Sequence, residues 1–229
     1  MGAEEGGQGL SLFIDRAAAL VEERRSQICL GLDPDPADLS QAAASGNYTG
    51  SSSEQAAAAV SAHCRNLIEL AGPACIAVKP QLACFERLGW PGWRALEEVC
   101  GAARDAGLLV IADGKRGDVP VSARAYGQAM VGSTDSPWGP ATGLGADAFT
   151  ANPLLGADAM EPLVAAAETA GAGAFFLVRT SNPGAADVQD LAAAGRPVYE
   201  HLAGLVAGFA DRLSGADSGL SGMGAVVGA

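Results

Sequence analysis

The sequence predicts an α/β fold of the (β/α)8 TIM-barrel type, with only about six βα units inside its 229 residues. Three observations lead there. Short apolar runs alternate six times with longer, alanine-rich amphipathic stretches, the pattern of a parallel sheet buried on both faces. No glycine-rich GxGxxG turn follows the first run, which weakens the competing open, doubly wound sheet. Charged or polar residues follow nearly every run, and a barrel gathers such strand ends at one mouth, where an open sheet would spread them along an edge.

The first strand is Ile28–Leu32, joined by a Gly/Ser/Asn-rich loop (Ser45 to Ser53) to a helix over Glu54–Ala71. Cys75–Val78 is the second strand and Trp93–Ala106 its helix; Leu108–Ala112 and Val121–Val131 form the third pair. Gly132 to Gly145 holds Asp135-Ser136-Pro137-Trp138-Gly139-Pro140, cannot be helical throughout, and reads as a peripheral loop without chemistry. Strands Ala148–Ala151 and Ala174–Val178 follow, with helices Ala159–Ala170 and Val198–Leu213, and Met223–Val227 is the sixth strand. No boundary interrupts the series, so residues 1–229 read as one barrel domain lacking its last strands.

Charge narrows the function. With 14 basic and 26 acidic residues the net charge is −12, a field that repels nucleic acid and anionic membranes yet leaves a small anionic substrate possible in a lysine-lined cleft. No apolar run is long enough to span a bilayer, and Met1 to Gly9 lacks the basic start and apolar core of a signal peptide, so a cytoplasmic protein is expected. The five cysteines form no CxxC pair and read as free, buried thiols. His63 and His201 fall in helices and read as surface or packing residues, and Trp90, Trp93 and Trp138 as packing or loop anchors; no metal site is expected.

The chemistry concentrates in Ile111-Ala112-Asp113-Gly114-Lys115-Arg116-Gly117-Asp118-Val119. Asp113 and Lys115 are two apart, so on an extended backbone both face the same way, into the barrel. Arg116 points outward by the same parity, and Arg179 is left out of the catalytic set on similar grounds. Two buried charges are costly unless paired, so a plain strand-end ion pair is the competing reading. Lys79 and Asp33 end the two preceding strands, however, and two carboxylates with two ammonium groups exceed what structure alone requires.

These segments resemble the orotidine 5′-phosphate decarboxylase family, in its longer bacterial branch. The likeness rests on Cys29-Leu30-Gly31-Leu32-Asp33-Pro34, Val78-Lys79-Pro80-Gln81 with Phe85-Glu86, the D-x-K-R-G-D run, Thr150-Ala151-Asn152-Pro153-Leu154-Leu155-Gly156, Arg179-Thr180-Ser181-Asn182-Pro183-Gly184 and Val226-Val227-Gly228-Ala229. It implies decarboxylation of orotidine 5′-phosphate to uridine 5′-phosphate in pyrimidine biosynthesis, with no cofactor and no metal. Lys115 would protonate C6 as carbon dioxide leaves, Asp113 would lie against the substrate carboxylate, and Lys79 would complete the charge network and reach the ribose. Asp33 would bind ribose hydroxyls and Ser181 the pyrimidine carbonyl edge. Asp118 and Ser122 would enter the neighbouring subunit's site across a homodimer interface. The family's last strands carry a glycine-rich turn and an arginine for the phosphate; neither occurs before Ala229, so a C-terminally truncated barrel is expected. Two other readings stand beside this one: a magnesium-dependent sugar-phosphate decarboxylase or aldolase of the same suprafamily, which shares D-x-K-x-x-D, and an inactive fragment kept as a binding module.

Overall fold

The computed structural model describes residues 11–228. In chain order the elements are α1 (Phe13–Arg24), β1 (Cys29–Leu32), α2 (Gln41–Ala44), α3 (Ser52–Ala71), β2 (Ala77–Pro80), α4 (Leu82–Glu86), α5 (Trp90–Asp105) and β3 (Leu109–Arg116). They continue with α6 (Pro120–Met130), β4 (Ser133–Thr134), β5 (Ala141–Thr142), β6 (Ala148–Ala151), α7 (Ala157–Ala170), β7 (Gly173–Arg179), β8 (Ala192–Ala193), β9 (Arg196–Pro197), α8 (Val198–Ala207) and β10 (Met223–Val227).

The six runs expected as strands form one parallel sheet in the order β1-β2-β3-β6-β7-β10. Strand order follows chain order, as right-handed βα crossovers laid side by side require. Among the described residues β1 and β10 remain the two edges, so the parallel sheet is present while its closure as an eight-stranded barrel is not seen. The two short antiparallel ribbons, β4–β5 and β8–β9, lie outside this sheet.

Helices cover the outer face because each presents small apolar residues there. Val60, Cys64, Leu96, Val99, Cys100, Leu163 and Val164 are buried against Val78, Val110, Phe149 and Phe176 of the strands. α3 starts where the sequence provides a capping box: the Ser51 hydroxyl accepts the Glu54 N–H, and the Glu54 carboxylate accepts the Ser51 N–H at 2.7 Å. Close packing of α5 on α4 depends on Gly92, where an added Cβ would sit 1.9 Å from the Phe85 carbonyl oxygen.

Several elements depart from expectation. The helix foreseen over Val198–Leu213 stops at Ala207 and resumes as a 3₁₀ turn over Ala210–Leu213, with Gly208 at the break. The segment Gly132–Gly145 is the β4–β5 ribbon, and its Trp138 anchors nothing, being 93% exposed at the tip. Trp90 and Trp93 are also exposed, on the outer flank of α5. All five thiols are free; Cys64, Cys75 and Cys100 are buried, but Cys29 is exposed, since among the described residues β1 has no neighbour on its other side.

Helix α1 was not foreseen, and it seats itself under the N-terminal ends of the strands. Phe13 meets Phe175 edge-on at 6.0 Å and shares a small apolar cluster with Ala17, Ala77, Leu109 and Ala148. The helix is then tied at several points. Phe13 N–H donates to Gly171 (2.8 Å), Arg16 pairs with Asp147 (2.7 Å), and the Asp15 carboxylate accepts the Ser218 N–H (2.8 Å). Arg24 donates to the carbonyls of Cys75 (2.5 Å) and Gly107 (2.8 Å), clamping the turns that lead into β2 and β3.

Candidate active site

The opposite, C-terminal ends of the strands hold the charged groups. Lys79 is the third residue of β2, and Asp113 lies on β3 with its side chain 3% exposed. The Asp113 carboxylate organises the cluster. Its Oδ1 accepts from Lys115 Nζ (2.6 Å) and the Thr150 hydroxyl (2.7 Å), and its Oδ2 from Lys79 Nζ (2.6 Å) and Gln81 Nε2 (3.3 Å). Four donors from β2, β3 and β6, with the residue just after β2, thus fill one buried carboxylate.

Lys115 reaches this position by an unforeseen route. Its φ is 49°, in the left-handed region, and the β3–β6 register shifts between Ala112 and Arg116. The premise of an extended backbone through Lys115 therefore fails: β3 bulges there, and the ammonium comes back to Asp113 across the bulge. Two contacts hold the bulge. Lys115 N–H donates to Thr150 Oγ1 (3.0 Å) and Asn152 N–H to the Arg116 carbonyl (2.8 Å). Gly117 permits the approach, since a Cβ there would fall 2.6 Å from the Asn152 carbonyl oxygen. Arg116 points away from the cluster, pairing with Glu86 and stacking over Tyr126 at 5.6 Å.

Electrostatics follow from this geometry. Burial pushes the Asp113 carboxyl up, but hydrogen bonds from Lys115, Lys79 and Thr150 outweigh it and hold the group below its ordinary value. Burial likewise pulls Lys79 down, while its hydrogen bond to Asp113 and the charges of Asp113 and Asp33 more than restore it, leaving it above its ordinary value. A carboxyl depressed in the fold stabilises above its unfolded pKa and loses that contribution as pH falls through the folded one. A raised lysine stabilises below its unfolded pKa and loses it as pH climbs through the folded one. The cluster's contribution is therefore complete between about pH 4 and about pH 10 and declines on either side. Denaturant melts across this range check it: Asp113→Asn flattens the acid-side decline, and an unchanged acid limb in that variant contradicts the assignment.

The remaining sequence candidates stand apart from the cluster. Asp33 is exposed beyond β1 and makes no ion pair among the described residues, although its charge reaches Lys79. Asp118 lies past β3 with its carboxylate accepting the Val119 N–H (2.7 Å), and Ser122 sits in the first turn of α6. Ser181 follows β7 and packs against the end of β10, where a Cβ on Gly228 would meet its N at 2.6 Å. It lines a cavity of about 800 Å³ with Arg179, Asn182, Tyr199 and Val227. Arg179 turns to Asp190 (2.7 and 3.0 Å). His63 accepts the Ser40 N–H (3.1 Å) and His201 lies 2.7 Å from the Ala193 carbonyl, so each fastens a loop.

Two participants were not singled out from the sequence, Thr150 and Gln81. A signal existed for both. Gln81 lies two residues after Lys79, and Thr150 lies two after Ala148, which is level with Ile111 on β3; equal parity turns each toward the side that Lys79 and Asp113 face.

Residues 26–217 match the family described as orotidine 5′-phosphate decarboxylase / HUMPS. An orotidine 5′-phosphate decarboxylase of Rhodopirellula baltica is 39% identical over 220 residues, 95% of this chain and 70% of that protein. One from Deinococcus radiodurans is 40% identical over 90% of this chain and 65% of its own length. This chain thus spans about two thirds of these relatives. Among solved structures, an orotidine 5′-phosphate decarboxylase candidate from Streptomyces avermitilis superposes with a TM-score of 0.76 at 32% identity, over 99% of this chain and 72% of that one. The UMP synthase of Leishmania donovani gives 0.64 at 33% identity, over 84% and 36%.

Proposed function

The chain belongs to the orotidine 5′-phosphate decarboxylase / HUMPS family, and from that premise we propose that it converts orotidine 5′-phosphate to uridine 5′-phosphate and carbon dioxide in pyrimidine biosynthesis. The observation that carries the reading is the Lys79–Asp113–Lys115 chain, one buried carboxylate between two ammonium groups at adjacent strand ends. The C6–carboxylate bond breaks, carbon dioxide departs, and the electron pair left on C6 takes a proton from the Lys115 ammonium, which solvent then reprotonates. A preorganised cation gains most as charge develops on carbon, so it stabilises the transition state more than the ground state. Asp113 disfavours the substrate carboxylate beside it, and Lys79 balances Asp113 and reaches the ribose. Asp33 takes the ribose hydroxyls and Ser181 the pyrimidine edge.

The magnesium-dependent alternative fits less well, because a cation at Asp113 would have to displace lysines already seated 2.6 Å from each oxygen. Release of carbon dioxide from carboxyl-labelled orotidine 5′-phosphate, unaffected by a chelator, is the expected result. No release, or release that needs magnesium, would overturn the reading.

We read the sheet as the larger part of an eight-stranded barrel, and the active protein as a cytoplasmic homodimer whose sites exchange Asp118 and Ser122. Support for the dimer comes from apolar side chains left bare around these residues: Val119 (54% exposed) before α6, Val121 (83%) in its first turn, and Leu154 (59%) beyond β6. Among the described residues no helix is long and apolar enough to cross a membrane. If Asp118 acts in trans, mixing Asp118→Ala chains with Lys115→Ala chains restores activity, because one site in each heterodimer carries both intact groups. Heterodimers shown to form yet remaining inactive would rule out a shared site.

A further inference from the structure

The bulge at Lys115 raises the question of what aims the ammonium. A non-glycine residue in the left-handed region is strained, and its N–H is displaced from the regular ladder. In this protein that N–H donates to Thr150 Oγ1 (3.0 Å), and the same hydroxyl donates onward to Asp113 Oδ1 (2.7 Å), the oxygen that also receives Lys115 Nζ (2.6 Å). Thr150 is 4% exposed and lies on β6, paired in the sheet between β3 and β7. The result is a closed ring: Lys115 backbone to Thr150, Thr150 to Asp113, Asp113 to the Lys115 ammonium.

From this ring we propose that Thr150 is a positioning residue for decarboxylation, fixing both the left-handed backbone of Lys115 and the Asp113 oxygen against which the lysine is aimed. The inference rests on the decarboxylase reading and deepens it. Thr150 touches no reacting atom; it acts through its two neighbours. Valine has nearly the shape of threonine but neither accepts nor donates, so at this position it leaves the Lys115 N–H without its protein partner and removes one donor from Asp113. Displacing a group by about an ångström costs up to about 10²-fold in rate. The substitution itself removes no charged group facing Asp113: Lys79 from β2, Lys115 from β3 and, at longer range, Asp33 beyond β1 are all retained. Among the causes that depress the Asp113 carboxyl, the Thr150 hydrogen bond is therefore the one that valine deletes.

The test compares Thr150→Val and Thr150→Ser with the unmodified chain in two measurements. The first is steady-state decarboxylation of orotidine 5′-phosphate. The second is the titration of the Asp113 carboxyl by carbon NMR without substrate. In Thr150→Val, kcat should fall about 10- to 100-fold while KM stays within about threefold, and the Asp113 midpoint should move up. Thr150→Ser, which keeps the hydroxyl, should restore both. Should Thr150→Val keep kcat within about threefold, or Thr150→Ser fail to rescue a folded protein, the positioning role is wrong. A chain that releases no carbon dioxide from any variant refutes the decarboxylase reading instead, and the substrate-free titration then decides the role of Thr150. An Asp113 midpoint that rises with valine and returns with serine supports it; an unmoved midpoint removes it.

Discussion

Lys115→Ala should lower decarboxylation by at least about 10³-fold while changing affinity for uridine 5′-phosphate by less than about tenfold. Two contributions disappear together. Positioned proton donation is worth about 10²–10⁴ in rate, and removing a charge-stabilising donor costs about 10²–10³. Both act on the carbanion at C6, which the product does not carry, so product binding is spared. The backbone adds a practical point: residue 115 has φ 49°, where alanine is as strained as lysine. A glycine variant, relieved of that strain, therefore separates loss of the ammonium from any disturbance of the bulge. Turnover and uridine 5′-phosphate binding measured on both variants decide the matter. A tenth of the normal rate surviving in either one removes Lys115 as the proton donor.

Asp113→Ala should damage both stability and turnover, and Asp113→Asn should separate the two. Alanine leaves Lys79, Lys115, Thr150 and Gln81 aimed at a vacated position. Breaking a fully buried pair by removing one partner costs about 3–5 kcal/mol. The two lysine side chains are 35% and 42% exposed, however, so water relieves part of that cost. A loss of about 1–3 kcal/mol is expected after this discount, at roughly 2–4 °C in Tm per kcal/mol for a chain of this size. Asparagine keeps an acceptor for the hydrogen bonds and so spares part of the stability, yet it removes the negative charge that sets the cluster's balance. Its turnover should still fall by about 10² or more. Thermal melts and rates for the two variants test this. An asparagine variant near the wild-type rate would show that shape, not charge, is what Asp113 contributes.

The six sheet strands were legible because parallel strands of a covered sheet read as continuous apolar runs, set between longer amphipathic stretches. The charge cluster was legible because charge at the end of an apolar strand has to be paired, and Asp113 offered lysines from two strands that pairing. What escaped was whatever depends on a neighbour far along the chain. α1 carries Phe13, Ala17 and Leu20 at helical spacing, but so short a stripe acquires meaning only against Phe175 and Ala148. The bulge at Lys115 is set by Thr150 and Asn152 across the sheet, not by residues adjacent to it. Exposure at Trp138 and Cys29 likewise depends on which neighbours are absent from a loop tip and a sheet edge, information that hydropathy does not contain.

Helix α1 has a consequence for the order of events in synthesis. It leaves the ribosome ahead of every partner it is tied to: Cys75 and Gly107, then Asp147, Gly171 and Phe175, and finally Ser218, 203 residues beyond Asp15. At about 5–20 residues per second, on the order of 10–40 s separates the emergence of Asp15 from that of Ser218. Until Phe175 has emerged Phe13 and Ala17 have no complete surface to bury against, and helices of this length are marginal alone in water. A segment translated ahead of its partners therefore docks after them, and the floor under the strands closes only once β7 is at hand. Nascent chains arrested before Phe175 should carry α1 as an unshielded apolar segment, available to a chaperone until its apolar partners are synthesised.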